Sequence, residues 1–145
     1  MGRAKPATSA EKRRMTILKE SVPCICCLVL GKVRLPEIHH AVSGMRREGH
    51  NKTVSLCPWH HRSIPLDNWQ KLDGAEGGAN QATSGLLGPS LAHGKRTFQE
   101  FFGSEHLLVL IATRLVKSYE ESPWHNYDIP YDLKRKVIEY WEANK

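Results

Sequence analysis

The chain has no long apolar run. Its longest such stretches, Cys24 to Leu30 and Leu107 to Ala112, fall far short of the roughly 20 residues a membrane-crossing helix needs. The opening residues Gly2-Arg3-Ala4-Lys5-Pro6 lack the apolar segment of a secretory signal, so a cytoplasmic protein without membrane contact is expected. Acidic residues are scarce at the front. Residues 1–62 hold twelve Lys and Arg against four Asp and Glu, a net of +8, whereas residues 63–145 hold nine against eleven, a net of −2. A basic front half points to a polyanionic partner such as DNA or RNA, because phosphate contacts supply most nucleic-acid affinity; the plainer reading is a solvated basic tail. Cysteines number only four. In a reducing compartment they read as metal ligands or core residues rather than disulfides. No internal repeat is visible.

At 145 residues the chain suits one domain with a modest core. Residues 1–20 read as a basic, mobile arm with a helical turn near Glu11–Lys19, and residues 21–145 as the domain itself. Val22 to Val33, apolar and interrupted by Gly31, suits a loop plus a short strand. Leu35 to Val42 forms or flanks a second strand, Gly44 to Lys52 is loop, and Thr53-Val54-Ser55-Leu56 alternates like a hairpin strand. Pro58 sits where the first turn of a helix tolerates it. The Gly-, Asn- and Ser-rich stretch 65–89 reads as a long loop. Helices are expected over Arg96–Phe102, stopped by Gly103; from a Ser104 cap along Leu108, Ile111, Leu115 and Tyr119 to Pro123; and from Pro130 along Leu133, Val137, Tyr140 and Trp141. The fold class is α+β: a small braced core with additional C-terminal helices.

Chemistry concentrates in three places. Cys24-x-x-Cys27 and Cys57-x-x-His60 are two close ligand pairs of the kind tetrahedral zinc takes. Two intervening residues let both thiolates of the first pair face one ion, which favours Cys27 over Cys26, with Cys26 packed inward. A structural zinc would contribute on the order of 10 kcal/mol to folding and fix the junction that presents His61. The alternative is that the cysteines are simply small buried hydrophobes. Between the pairs lie His39 and His40, preceded by Glu37. Imidazoles suit both a general base near neutral pH and a divalent ion that activates water on a phosphodiester. A strand would send His39 and His40 to opposite faces. Glu37 can orient a metal-binding imidazole from behind or merely end a strand. His50 can bind metal, contact phosphate or cap the loop. Arg46, Arg47, Lys52 and Arg62 cluster near this run and suit DNA phosphates, although exposed charge is a sufficient explanation. His61 could replace His60 as the fourth zinc ligand. Trp59 reads as core.

A histidine pair on a hairpin, followed by Leu56-Cys57-Pro58-Trp59-His60-His61 at a helix start, resembles the HNH, or ββα-metal, endonucleases. More narrowly, Pro23-Cys24-Ile25-Cys26-Cys27, Glu37-Ile38-His39-His40, Ser43-Gly44-Met45-Arg46-Arg47-Glu48-Gly49-His50 and Leu56 to Arg62 resemble the phage recombination-enhancement nucleases that depend on RecA. Gly88-Pro89-Ser90-Leu91 and Phe98-Gln99-Glu100 with Phe102-Gly103-Ser104 are similar to that family too, so the likeness spans about residues 22–115. It implies a zinc-braced ββα-metal core, His40 as general base, and His39 and His61 as ligands of a catalytic Mg²⁺ or Mn²⁺. It also implies single-metal DNA hydrolysis to 5′-phosphate and 3′-hydroxyl ends, a RecA filament as partner, and the host cytoplasm as location. The chain departs from the pattern at the middle letter of HNH, where Lys52 stands nearest the expected Asn, with Asn51 beside it. Its basic arm is also short for the family. The competing function is a non-catalytic zinc module that binds DNA or a recombination protein. Three histidines beyond the needs of the brace favour the enzyme. A redox role for Cys24 and Cys27 lacks the βαβ setting it requires.

Overall fold

The computed structural model describes residues 6–43, 46–47 and 49–145, with backbone alone at 42–43 and 46–47. Helix α1, Ser9–Ser21, starts where Thr8 and Glu11 cap each other's backbone amides. It buries Arg14, Ile17 and Leu18 and leaves Lys12, Arg13 and Lys19 in solvent. The basic arm expected over residues 1–20 therefore gives way from Ser9 onward to a docked helix. The helical turn expected near Glu11–Lys19 lies inside it, and Ile17 and Leu18, adjacent in sequence, seat the helix on the core.

Helix α2, Ile25–Val29, replaces the expected loop and short strand. All five of its residues are buried, so packing overrides the weak helix preference of Ile25 and Val29. Two short antiparallel pairs follow. Strand β1, Glu37–His40, is paired through β4, Thr53–Leu56, whereas β2, Val42–Ser43, pairs with β3, Arg46–Arg47. In the β1–β4 register Glu37 faces Leu56, His39 faces Val54 and His40 faces Thr53. All four residues of β4 are buried. Its alternation of polar and apolar residues does not mark a solvent face: the Ser55 hydroxyl donates to Pro23 O (3.0 Å), and Thr53 is bonded on the same side. Helix α3, Pro58–Arg62, begins directly after β4.

The stretch 65–89, expected as loop, contains two 3₁₀ turns, Trp69–Lys71 and Ala75–Gly77, and helix α4, Ala79–Leu87. Ala82, Thr83 and Leu87 are its buried face, an apolar spacing too sparse to stand out among Gly and Asn. Helix α5, Lys95–Phe102, buries Phe98 and Phe102 and ends at Gly103. There φ is +92°, and a Cβ would meet Leu107 Cδ2 at 2.7 Å. Helix α6, Glu105–Glu121, is capped by Ser104. It buries Leu108, Ile111 and Leu115 at the centre of the core, against α1, α2, β4 and α7, Tyr131–Asn144. Three tryptophans bury their rings or flanks and donate their indole N–H to carbonyls: Trp59 to Gly88, Trp124 to Ser21 and Trp141 to Phe102. The fold is mixed α+β and mostly helical. Among the described residues no helix is long and apolar enough to cross a membrane.

Candidate metal centre and histidine cluster

Two similar local structures build the metal centre. Cys24 is the N-cap of α2 and Cys57 the N-cap of α3. Each sulphur receives the backbone N–H of the residue three positions on, Cys27 and His60 respectively, at 3.5 Å. The cap geometry thus places both members of each pair on one side of a helix start, where the peptide dipole favours a thiolate. The β1–β4 hairpin and the packing of α2 on β4 bring the two starts together.

Ligand atoms of Cys24, Cys27, Cys57 and His60 lie within 4.8 Å of one another, and all four residues are fully buried. Tetrahedral zinc with ordinary bond lengths needs edges of about 3.8 Å between sulphurs and about 3.5 Å from sulphur to nitrogen. The Cys27–Cys57 edge is 3.8 Å, and His60 Nδ1 lies 3.2, 3.4 and 3.6 Å from Cys57, Cys24 and Cys27. His60 Nε2 donates to Leu87 O at 2.7 Å, which leaves the lone pair on Nδ1, the nitrogen facing the thiols. These residues fit a structural zinc ion. Burial alone would raise the Cys24 thiol and lower His60. Hydrogen bonds from Cys26, Cys27, Cys57 and His60 instead bring Cys24 well below its ordinary value, and Cys24 and Cys57 push His60 up to about 10. Cys26, also buried, is not one of the four; burial pushes its thiol well up.

Beside this centre the imidazoles of His39 and His61 meet edge to face, with ring centroids 5.1 Å apart. Each is held from behind by a carboxylate. His39 Nε2 donates to Glu105 Oε1 (3.1 Å), and His61 Nδ1 donates to Glu37 Oε1 (3.0 Å). Glu105 is buried, in the first turn of α6, and its other oxygen lies 3.9 Å from Lys95 Nζ. Arg62 forks onto both oxygens of Glu37 and, more than any other neighbour, holds that carboxyl below its usual value. His40, on the opposite strand face, shares a hydrogen bond with His50 Nδ1 through its Nε2 (3.2 Å).

The structure thus brings together His39, His61 and Glu37, and separately His40 and His50. Arg62, expected on phosphate, is engaged with Glu37. Asn51 is exposed, and Lys52 accepts the Ala41 amide through its carbonyl within the hairpin (2.8 Å). The side chains of Arg46 and Arg47 lie outside the described residues. Glu105 was missed by sequence reasoning. Its signal was present, since it directly follows the Gly103-Ser104 stop and cap, but nothing in one dimension places it against His39, 66 residues away.

A family model described as "Recombination enhancement, RecA-dependent nuclease" matches residues 7–117, well over half of the chain, and the chain belongs to that family.

Proposed function

We propose that this member of the RecA-dependent nucleases is a metal-dependent DNA endonuclease of the HNH type, with β1, β4 and α3 as its ββα-metal core. The observation that carries this reading is the His39–His61 meeting, in which each ring is bonded to a carboxylate through one nitrogen. That is the arrangement by which carboxylates orient imidazoles toward a metal. The remaining nitrogens, Nδ1 of His39 and Nε2 of His61, are then the ligand atoms for Mg²⁺ or Mn²⁺. Two protein ligands leave most of such an ion's shell to water and phosphate, as an open catalytic site requires. When bound, the ion supplies charge stabilisation at the phosphate and leaving oxygen.

His40 is the general base in this reading. Its ring is held by the bond to His50, and it takes the proton of the attacking water. Water adds to phosphorus as its proton passes to His40, the bond to the 3′-oxygen breaks, and that oxygen takes a proton from solvent, so the products are a 5′-phosphate and a 3′-hydroxyl. The surplus positive charge of residues 1–62 favours DNA binding on this side of the molecule. The partner is a RecA filament paired with homologous DNA.

A plasmid-nicking assay tests the reading, with RecA filament, homologous DNA, nucleotide and Mg²⁺ or Mn²⁺, comparing wild type with His40→Ala. Cleavage by wild type and its loss in the variant are expected. Equal cleavage removes His40 as base; robust cutting of naked duplex removes the filament requirement. No cleavage under any condition leaves the chain a zinc-braced binding module.

A further inference from the structure

Arg14 sits in an unusual place for a guanidinium. It is buried in the contact of α1 with β4 and α6, and among the described residues it makes no ion pair. All its bonds go to neutral oxygens. Nε donates to Thr53 Oγ1 (3.0 Å), Nη2 to Thr53 O (2.8 Å) and Nη1 to Thr113 Oγ1 (2.8 Å). Burying a charge without a counter-charge is costly. The chemistry beyond Thr53 supplies a reason to keep it.

A threonine hydroxyl has one hydrogen and rotates to suit its surroundings. At Thr53 that rotation is settled. Oγ1 accepts from Arg14 Nε, so its own hydrogen goes to its other neighbour, His50 O, at 3.2 Å. Thr53 also stands directly across the β1–β4 ladder from His40. His50 in turn bonds His40 through the ring. Backbone and side chain of one residue, His50, are therefore tied to opposite ends of a single chain of bonds: Arg14, Thr53, His50, His40.

We propose that Arg14 and Thr53 are positioning residues for the His40–His50 pair, so that helix α1, at the front of the chain, is part of the nuclease site rather than an appendage. The guanidinium polarises and orients the Thr53 hydroxyl. The hydroxyl anchors the start of β4 and the His50 carbonyl, and the anchored His50 ring sets the orientation of the His40 ring. This rests on the reading of His40 as base. A misplacement of the order of 1 Å at a reacting group costs about a hundredfold in rate, so loosening this relay should lower kcat with little change in KM.

The test uses the full-length, zinc-loaded protein and two readouts. The first is the ring ¹⁵N–¹H spectrum of His40 and His50, which requires no cleavage. The second is kcat and KM in the filament-dependent nicking assay. Thr53→Val, nearly isosteric, removes only the hydroxyl; Thr53→Ser restores it; Arg14→Lys keeps the charge but loses the fork. Tyr127→Phe deletes the hydrogen bond that ties the C-terminal end of α1 through Lys19 O and serves as a control for loosened helix packing. Thr53→Val should shift both imidazole signals and lower kcat about tenfold or more, Thr53→Ser should match wild type, and Arg14→Lys should fall between. Tyr127→Phe should lower thermal stability without moving either readout. Unmoved His40 and His50 signals in Thr53→Val, or equal kcat losses in Thr53→Val and Tyr127→Phe, would overturn the proposal. A wild type that never cuts removes the nuclease reading, and the ring spectra still decide the relay.

Discussion

Zinc affinity should fall steeply with acid, and the slope follows from the donor set. In the unfolded chain the thiols of Cys24, Cys27 and Cys57 titrate near their ordinary value of about 8.5, and His60 near 6.5. Holding zinc at edges of 3.2–3.8 Å requires three thiolates and a neutral imidazole. Between about pH 6.5 and 8, three protons leave for each ion bound, so affinity should change about a thousandfold per pH unit, or about 4 kcal/mol. Below about pH 6.5 the proton of His60 adds a fourth tenfold factor. The sign is unambiguous. Bound ligands have depressed pKa values, so their stabilisation is present above the unfolded values and is lost as pH falls. In the folded, metal-free cluster Cys24 is brought well below its ordinary value and His60 is pushed up to about 10, so the His60 proton takes the place of the Cys24 proton among those the ion displaces, and the sign is unchanged. A structural zinc is worth roughly 10 kcal/mol, comparable to the whole stability of a small domain at about 5–15 kcal/mol. Chelation at pH 7 should therefore melt most of the hairpin and α3. Competition against a chromophoric chelator from pH 6 to 8, with circular dichroism after chelation, measures both. A pH-independent affinity, or a melting curve indifferent to chelation, would refute the reasoning.

Glu105→Gln, measured by titration calorimetry of Mn²⁺ into zinc-loaded protein, should weaken binding about 10- to 100-fold through loss of His39 orientation; unchanged affinity would detach Glu105 from the site. Gly88 has φ +78°, and a Cβ there would lie 3.1 Å from Phe101 Cε1. Gly88→Ala should thus cost about 1–2 kcal/mol in urea unfolding, and it should disturb the adjacent Leu87 and Gly88 carbonyls that His60 and Trp59 use. Glu37 is held below its usual carboxylate value chiefly by Arg62, so its stabilisation is present at neutral pH and lost as pH falls through that lowered value. Glu37→Gln should accordingly be less stable than wild type at pH 7 and converge with it in parallel thermal melts as the pH is taken below the ordinary carboxylate range.

Much of the centre was legible one-dimensionally because its logic is local. Cys24 with Cys27, and Cys57 with His60, are each separated by the two residues that a helix N-cap spans, so spacing alone nominated them. Pro58, Gly103, Ser104 and Pro130 marked element ends for reasons confined to their own backbones. Other features were not local. Only a turn of helix α1, near Glu11–Lys19, was legible, because Ile17 and Leu18 alone mark its buried face, and α4 was concealed because Gly and Asn dilute its own. The polar residues of β4 look solvent-facing in sequence, yet Thr53 and Ser55 are buried with their hydroxyls bonded.

Residue type and short spacing, then, determined which side chains could grip a metal and where helices start, because caps and ligand pairs act within one turn. Tertiary structure decided which imidazole meets which carboxylate. Glu105 reaches His39, Leu87 holds His60 and Arg14 reaches Thr53 only after α6, α4 and α1 pack around the hairpin. Hydrogen bonds between groups far apart in the chain depend on that packing, and no spacing rule encodes it.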